Sequence, residues 1–335
     1  MHDDRDSTSP SISRRVMLGS AAATAAVLAA PPVRADVLVG PPPHEKGPLV
    51  WMDMDQVELD AAYDQAAYAP MIAQIQKRFA TSSETVRATI GAPKRFAYGP
   101  SPAEGMDVYP AKTPNAPVFV FVHGGAWLRG EAKDYAFPAE LFFNSGVTFI
   151  ALDFTGIGAV NGDLTAMAEQ VRRGIAWAYK NAASYGGDAS RFYVGGHSSG
   201  GHLAGVALVT DWQKDFELPA DFVKGGLLMS GMYDMKPARL SKRSSYVRFT
   251  DEMEQSMSAL RQLDKLRAPL IVTYGGFETP EFQRQSRDFV AAVKAAGKPA
   301  ELVAAPNYNH FEMCESLGNP YGPNGRAALK LMKLG

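Results

Sequence analysis

A serine between two glycines is the first group in this chain whose type and spacing could do chemistry. The pentapeptide Gly196-His197-Ser198-Ser199-Gly200 fits the pattern GxSxG, in which a sharp strand-to-helix turn exposes a nucleophilic serine hydroxyl. Glycine suits the positions two residues either side of Ser198, because a larger side chain would collide with the neighbouring strand and helix. The alternative is a structural glycine-rich turn. The phosphate-binding patterns GxxxxGK[ST] and GxGxxG do not fit here.

A second glycine motif lies upstream, directly after an apolar run. Val118 to Val122 is followed by His123-Gly124-Gly125-Ala126-Trp127, which matches loops whose backbone N–H groups stabilise a developing oxyanion. We predict that the amides of Gly124, Gly125 and Ser199 form this oxyanion hole. A plain turn is the alternative for the glycines.

The base that would activate Ser198 is selected from few histidines. Only His202 and His310 follow the serine in the chain, and the base of such a triad comes last, on a loop after a late strand. His310 follows the final predicted strand, whereas His202 falls on the helix after the serine. We therefore predict His310 as the base and assign structural roles to His123 and His197.

The acid is expected on the loop after the strand at 270–274. Two carboxylates are available there, Glu278 and Glu281. Glu278 lies on the loop itself, whereas Glu281 falls in the first turn of the next predicted helix, where a carboxylate is favourable for dipole reasons alone. We predict Glu278 as the acid that orients His310.

Aromatic side chains next to these loops could form the substrate pocket. We predict that Trp127, Phe277 and Tyr233 present aromatic surface near the acyl site, with core packing as the alternative. The polar, Arg-rich segment 237–254 is interpreted as a mobile insertion beside the pocket or as a plain solvated loop.

Short apolar strands alternate with amphipathic helices along the rest of the chain. This alternation predicts a mostly parallel α/β sheet with helices on both faces. The helical stretches 59–79, interrupted at Pro70, and 82–90 precede the first strands and are predicted to form a small cap over the sheet or to pack against its edge. The predicted strands are 95–98, 106–109, 118–122, 148–152, 191–195, 226–230, 270–274 and 300–304.

Composition bounds the class of protein. The chain has 335 residues, 46% hydrophobic and 21% charged, with a formal net charge of -1, which suits one large α/β domain and gives no basic footprint for nucleic acid. Cys314 is the single cysteine, so no intramolecular disulfide and no cysteine-based metal site can form. We expect neither a metal nor a cofactor, and a small-molecule partner.

The N-terminal stretch resembles an export signal. Arg14 and Arg15 precede the apolar run 19–30, which is too short to span a bilayer, and small residues follow up to Ala35. We predict a twin-arginine signal over 1–35, export through the twin-arginine translocation machinery, and a periplasmic or secreted product. A disordered Ala-rich tail is the alternative. Residues 36–58 are then a linker and 59–335 the catalytic domain, with the cap at 59–90.

Taken together, these motifs resemble the arylformamidase (kynurenine formamidase)-like branch of the α/β-hydrolases, which is related to the HGG-type carboxylesterases. The resemblance implies an α/β-hydrolase fold and catalytic roles for Ser198, Glu278 and His310. The acid of this family is often Asp where this chain has Glu278. The segments that carry the resemblance are 123–127, 185–188, 196–212, 230–234, 278–286 and 309–311.

Three functions fit these residues. The first is an esterase acting on small or aromatic carboxylic esters through a Ser-His-Glu triad and an acyl-enzyme. The second is an arylformamidase-type amide hydrolase, although its usual intracellular setting argues against N-formylkynurenine as the substrate of an exported protein. The third is a noncatalytic ligand-binding protein that keeps the fold.

Overall fold

The centre of the molecule is an eight-stranded sheet. The computed structural model describes residues 43–334, and the strands within them follow the order β1-β2-β4-β3-β5-β6-β7-β8. Strand β2 pairs antiparallel with both β1 and β4, so it runs against all the other strands. Strands β3 to β8 pair with one another in parallel. The strands are β1 Lys94–Ala97, β2 Gly105–Tyr109, β3 Ala116–Val122, β4 Thr148–Leu152, β5 Gly187–His197, β6 Val223–Met229, β7 Leu270–Phe277 and β8 Ala300–Asn309.

Strand β3 illustrates why the sheet is covered on both faces. Every residue of β3 is buried, and successive side chains of a strand point to opposite faces. Val118, Val120 and Val122 accordingly join one apolar cluster, whereas Phe119 and Phe121 join the cluster on the other side. A continuous apolar run is what a central parallel strand between two helical layers requires.

Helices fill these two layers. Helices α4, α5 and α9 contribute to the cluster that contains the β3 valines, and helices α2, α3 and α11 to the cluster that contains the phenylalanines. All residues of α5 are buried, so this helix crosses the middle of its layer. The α-helices are α1 Gln56–Ala62, α2 Ile72–Ile90, α3 Ala139–Asn144, α4 Leu164–Lys180, α5 Ser199–Leu208, α6 Trp212–Phe216, α7 Met235–Leu240, α8 Asp251–Ser256, α9 Pro280–Ala295, α10 His310–Glu315 and α11 Pro323–Leu331.

The helices before the sheet differ from the prediction. Helix α1 begins at Gln56, within the predicted linker, because Asp55 caps it and forms a reciprocal capping box with Glu58. The stretch predicted as two helical pieces, 59–79 and 82–90, is instead α1, a 3-10 turn at Gln65–Tyr68, and one long α2 that runs through Ser82. The prediction of a separate helix at 82–90 is therefore wrong.

The predicted fold class is confirmed by this architecture. The predicted strands all form, and β5, β7 and β8 extend beyond their predicted ends. Residues 1–35, for which we predict an export signal, and part of the predicted linker lie outside the described residues. Within residues 43–334, no helix combines the length and apolar character that crossing a bilayer demands.

Candidate active site

Ser198 lies at a strained turn between β5 and α5. Its backbone has φ 57° and ψ −123°, a conformation that non-glycine residues seldom adopt. Its N–H donates to the carbonyl of Met229, which anchors the turn to β6 at 2.9 Å. A Cβ at Gly196 would collide with the carbonyl of Gly200, and one at Gly200 with that of Val122. The glycines of GxSxG are therefore required by close backbone packing.

The loop after β3 presents backbone amides beside the serine. A Cβ at Gly124 would lie 3.1 Å from the Ser198 Cβ, and Gly125 has φ +122°, which favours glycine. Among the described residues, the amides of Gly124, Gly125 and Ser199 donate to no protein acceptor. These N–H groups are available for a substrate oxygen, as the predicted oxyanion hole requires. Their role in catalysis stays a prediction.

His123 stabilises the conformation of this loop. Its ring stacks on Phe154 with a centroid distance of 4.4 Å, and its Nδ1 lies 2.8 Å from the Gly124 carbonyl oxygen. Because the peptide group is planar and trans, holding that carbonyl also fixes the direction of the Gly125 N–H. Burial lowers the pKa of His123, which favours the neutral ring that donates from Nδ1.

Ser198, His310 and Glu278 form a continuous hydrogen-bonded chain. The Ser198 Oγ lies 2.8 Å from His310 Nε2, and His310 Nδ1 lies 3.0 Å from Glu278 Oε2. All three residues are buried. His310 follows β8 directly because the Asn309 side chain caps α10 and ends the strand there. This arrangement can transfer the serine proton to an imidazole whose orientation a carboxylate fixes.

Two further donors hold Glu278 in place. Its Oε1 accepts from the Ser230 hydroxyl at 2.5 Å and from the Gly275 N–H at 2.7 Å. Ser230 has φ 52° and follows β6. It was not among the predicted site residues, although its position after a parallel strand at the edge where the site forms was a signal that could have found it.

Glu281, the alternative acid, is bound elsewhere. Both of its carboxylate oxygens accept from Arg284, at 2.7 and 2.8 Å, one turn along α9. Gln285 donates to the same carboxylate at 3.2 Å. Glu281 therefore forms a buried ion pair within its own helix, and it has no hydrogen bond to His310.

The ring of His197, the other motif histidine, contacts the backbone of His310, the predicted base. Its Nε2 lies 2.8 Å from the carbonyl oxygen of His310, and the two ring centroids are 4.7 Å apart. Burial, and then the neighbouring His310, lower the pKa of His197 well below its usual value. The neutral ring can donate from Nε2 and tether the start of α10, which is a structural role of the kind predicted.

His202 lies in the core and outside the hydrogen-bonded chain. Its Nδ1 accepts from the Trp127 indole N–H at 3.2 Å, and its Nε2 lies 2.9 Å from the carbonyl oxygen of Met257. Because an indole nitrogen only donates, Nδ1 must be unprotonated and Nε2 must carry the hydrogen. Burial, with a smaller contribution from Arg243, lowers the pKa of His202 to about 4.

This pKa predicts a loss of stability in mild acid. His202 takes up a proton near pH 6.5 in the unfolded chain but only near pH 4 in the folded chain. The free energy of unfolding therefore falls as the pH drops from 6.5 to 4, by up to about 3 kcal/mol. Denaturant unfolding at pH 7 and pH 4.5 measures the loss. The His202→Gln variant should lose less over the same interval. An equal loss in both proteins would contradict the assignment.

The hydrogen-bonded chain opens into a cavity of about 480 Å³. Ser198 and His310 lie in its wall, and several residues of the N-terminal helical region, between 63 and 80, also line it. The cap at 59–90 stays a prediction. Apolar side chains from α2 and α10 form one part of the lining, and charged groups from the loops form another. The lining includes Ile72, Phe79, Phe311, Asp64, Arg129, Glu131, Asp134 and Arg243.

The predicted aromatic pocket residues do not line this cavity, as far as the described residues form it. Trp127 is buried and turned towards His202. Tyr233 is buried and stacks on Phe289 with a centroid distance of 4.2 Å. Phe277 is 55% exposed at the end of β7. The prediction that these three side chains line the substrate pocket is therefore wrong. Core packing directs Trp127 and Tyr233 into the interior, and strand pairing with β8 turns Phe277 away from the cavity.

The segment 237–254 reaches the cavity through Arg243. It contains the end of α7, a 3-10 turn at Lys242–Ser245 and the start of α8. Arg239 pairs with Asp251 and Glu254 across the segment, at 2.5 and 3.0 Å. The segment therefore borders the site, and its mobility stays a prediction.

One group of side chains within residues 43–334 could ligate a metal ion. His44, Asp55 and Glu58 bring their donor atoms within 4.8 Å of one another. Asp55 and Glu58 already cap α1, and Lys46 pairs with Glu58. These groups thus have structural uses at the surface, away from the lining of the cavity around Ser198.

Comparisons with known proteins find hydrolases among the relatives in sequence. The family model described as BD-FAE matches residues 106–226. The chain is 26% identical to kynurenine formamidase of Danio rerio over 280 residues, which cover 80% of this chain and 93% of that protein. It is 29% identical to esterase LipC of Mycobacterium tuberculosis over 261 residues, which cover 70% of this chain and 63% of that protein.

A solved structure supports the fold independently. An esterase of Pyrobaculum calidifontis superposes with a TM-score of 0.62 at 18% identity, covering 81% of this chain and 98% of that one. At this identity the likeness shows the fold alone. The relatives in sequence are hydrolases by name, and this chain is an enzyme of the same kind. It belongs to the α/β-hydrolases, in the branch that contains the arylformamidases and the HGG-type esterases.

Proposed function

We propose that this hydrolase cleaves carboxylic esters through an acyl-enzyme formed on Ser198. The observation that carries the proposal is the chain of two hydrogen bonds, 2.8 and 3.0 Å long, from Ser198 through His310 to Glu278. A serine hydroxyl is a weak nucleophile until a base within hydrogen-bond reach removes its proton. His310 occupies that position beside the cavity.

Each group of the site has a role in the proposed reaction. As the Ser198 Oγ attacks the ester carbonyl, His310 Nε2 takes the serine proton, and Glu278 stabilises the imidazolium through Nδ1. The amides of Gly124, Gly125 and Ser199 stabilise the negative charge on the carbonyl oxygen. His310 then protonates the departing alkoxide, which leaves as the alcohol.

Water completes the turnover. His310 removes a proton from a water molecule, the resulting hydroxide attacks the acyl-enzyme, and the acid is released as Ser198 regains its proton. The cavity of about 480 Å³, with Ile72, Phe79 and Phe311 in its lining, has a size and apolar character suited to a small or aromatic ester.

Aryl-formamide hydrolysis is the second candidate. The match to kynurenine formamidase across 93% of that protein favours it, and both reactions pass through the same kind of tetrahedral intermediate. The alcohol of an ester is the better leaving group, so we expect kcat/KM for the best ester to exceed that for N-formylkynurenine by at least about 10-fold. A series of 4-nitrophenyl esters from acetate to octanoate measures this, and the reverse preference would favour the formamidase.

Export is proposed on the sequence of residues 1–35. The twin arginines at Arg14 and Arg15 and the apolar run after them support passage through the twin-arginine translocation machinery to the periplasm or beyond. N-terminal sequencing of the mature protein should begin near Asp36. A mature protein that starts far from Asp36, or one that keeps Met1 in the cytoplasmic fraction, would contradict export.

A further inference from the structure

Among the described residues, Arg243 is a buried cation without an acidic partner. The residue is 6% exposed, and the partner of its guanidinium is a neutral one, the Tyr246 hydroxyl, at 2.6 Å from Nη1. Its Nε is buried and has no hydrogen-bond partner in the described part of the chain. No carboxylate within that part pairs with its guanidinium. Burying a charge is costly unless it is paired, so the positive charge of Arg243 would be stabilised by an anionic ligand.

Two aromatic rings hold the guanidinium in position. Its central carbon lies 5.4 Å from the ring centroid of Tyr63 and 5.1 Å from that of Trp127. Contacts of this kind stabilise the cation through the ring faces and leave the N–H donors at its edge free. A planar guanidinium with free edge donors matches the geometry of a carboxylate, which it can bind through two parallel hydrogen bonds.

Arg243 lies in the wall of the same cavity as Ser198 and His310. Two of the carboxylates in this lining have cationic partners, since Asp64 pairs with Lys242 at 3.2 Å and Glu131 pairs with Lys133. The third, Asp134, is half-buried and has no ion pair within residues 43–334. Arg129 also lines the cavity, but its side chain is exposed. Arg243 is thus the buried cation that a ligand in contact with Ser198 could reach.

We propose that the substrate carries a carboxylate, which binds Arg243 while the scissile ester lies at Ser198. This inference rests on the proposed function and narrows its substrate class to anionic esters. Such a substrate has its carboxylate either on the acyl side, as in a half-ester of a dicarboxylic acid, or on the leaving group. A neutral substrate of the same shape leaves the buried guanidinium unpaired, and a site built for a polar group discriminates strongly against analogues that lack it.

Pairs of anionic and neutral substrates test the proposed carboxylate site. For each protein, the ratio of kcat/KM between the two members of a pair is measured. For the acyl side, 4-nitrophenyl hydrogen glutarate is compared with 4-nitrophenyl pentanoate. For the leaving group, 4-acetoxybenzoate is compared with 4-acetoxybenzamide. We expect the wild-type protein to favour the anionic member of one pair by about 10- to 100-fold in kcat/KM, the range of a charge-assisted hydrogen bond. Because the preference is a ratio, partial loss of folded protein cancels.

Variants assign the preference to Arg243. Arg243→Met keeps an apolar stem between the two rings and should reduce the ratio to about one, and Arg243→Lys, which keeps a charge without the planar fork, should give a ratio in between. Arg248→Met is the matched control: it removes the same charge from an exposed position nearby in the chain and outside this cavity, and it should keep the wild-type ratio. A preference that survives in Arg243→Met would overturn the proposal, as would a wild-type ratio near one in both pairs.

A binding measurement separates this inference from the proposed reaction. In calorimetry, the Ser198→Ala protein should bind benzoate with a lower Kd than benzamide. Adding Arg243→Met to this variant should make the two Kd values equal. Selective benzoate binding without hydrolysis of any ester would support the carboxylate site and refute the esterase. Hydrolysis of neutral esters together with equal binding of benzoate and benzamide would refute the carboxylate site and leave the esterase standing.

Discussion

The Ser198→Ala variant is expected to hydrolyse 4-nitrophenyl esters with a kcat lowered by about 10⁴-fold or more, since it lacks the hydroxyl that we propose forms the acyl-enzyme. The Ser198 Oγ is the atom hydrogen-bonded to His310 Nε2, at 2.8 Å. Alanine keeps the Cβ of serine, so the strained turn should form equally well. The variant should therefore unfold at the same denaturant concentration as the wild-type protein.

A fluorophosphonate probe measures the nucleophile directly. The wild-type protein should be labelled in proportion to active sites, and Ser198→Ala should not be labelled at all. Ser256→Ala, which removes an exposed serine away from the cavity, is the matched control and should be labelled like the wild-type protein. Labelling that persists in Ser198→Ala would show that another residue is the nucleophile, and an unlabelled wild-type protein would favour the noncatalytic alternative.

The Glu278→Gln variant is expected to lower kcat by about 10³- to 10⁴-fold, as loss of the acid does in other triads. Three hydrogen-bond donors converge on this carboxylate, from Ser230, Gly275 and His310. Glutamine has one acceptor oxygen and one NH₂ group, so at least one of these donors would face a second donor. The His310 ring would then lose its orientation or its catalytic tautomer. Steady-state kinetics at several pH values measure the loss.

The matched control is the other acid of the same region. Glu281→Gln removes a buried carboxylate that pairs with Arg284 at 2.7 Å, so it should destabilise the protein while kcat stays within a few-fold of the wild-type value. Both variants are compared by kinetics and by thermal unfolding. If activity is lost with Glu281→Gln and kept with Glu278→Gln, the assignment of the acid is reversed.

Features that depend on local backbone sterics, on the apolar pattern of a strand or on chain order could be predicted from the sequence. Glycines mark the turn at Ser198 and the loop after β3, because packing distances there exclude any Cβ. The apolar run of β3 predicts a strand buried on both faces, and the structure has it. Chain order then selects His310 and Glu278, since the ends of parallel strands meet at one edge of the sheet.

Side-chain directions and long-range partners could not be predicted in this way. Trp127 adjoins the oxyanion loop in sequence, yet its indole points into the core because His202 offers it an acceptor there. Ser230 joins the site through a hydrogen bond to a residue 48 positions away. Helix α2 continues through Ser82 because Ser83 accepts from the Phe137 N–H and donates to the Asp134 carbonyl, contacts that local sequence does not reveal.

The sequence by itself determined the fold class, the turn that presents Ser198 and the identity of its candidate partners, because each depends on local backbone sterics or on chain order. Only the tertiary structure decided the shape and charge of the cavity. Arg243 is an ordinary residue in a polar, Arg-rich segment of the sequence. It becomes a buried cation, without an acidic partner in the part of the chain that the structure describes, because Tyr63 and Trp127, far away along the chain, enclose it on folding.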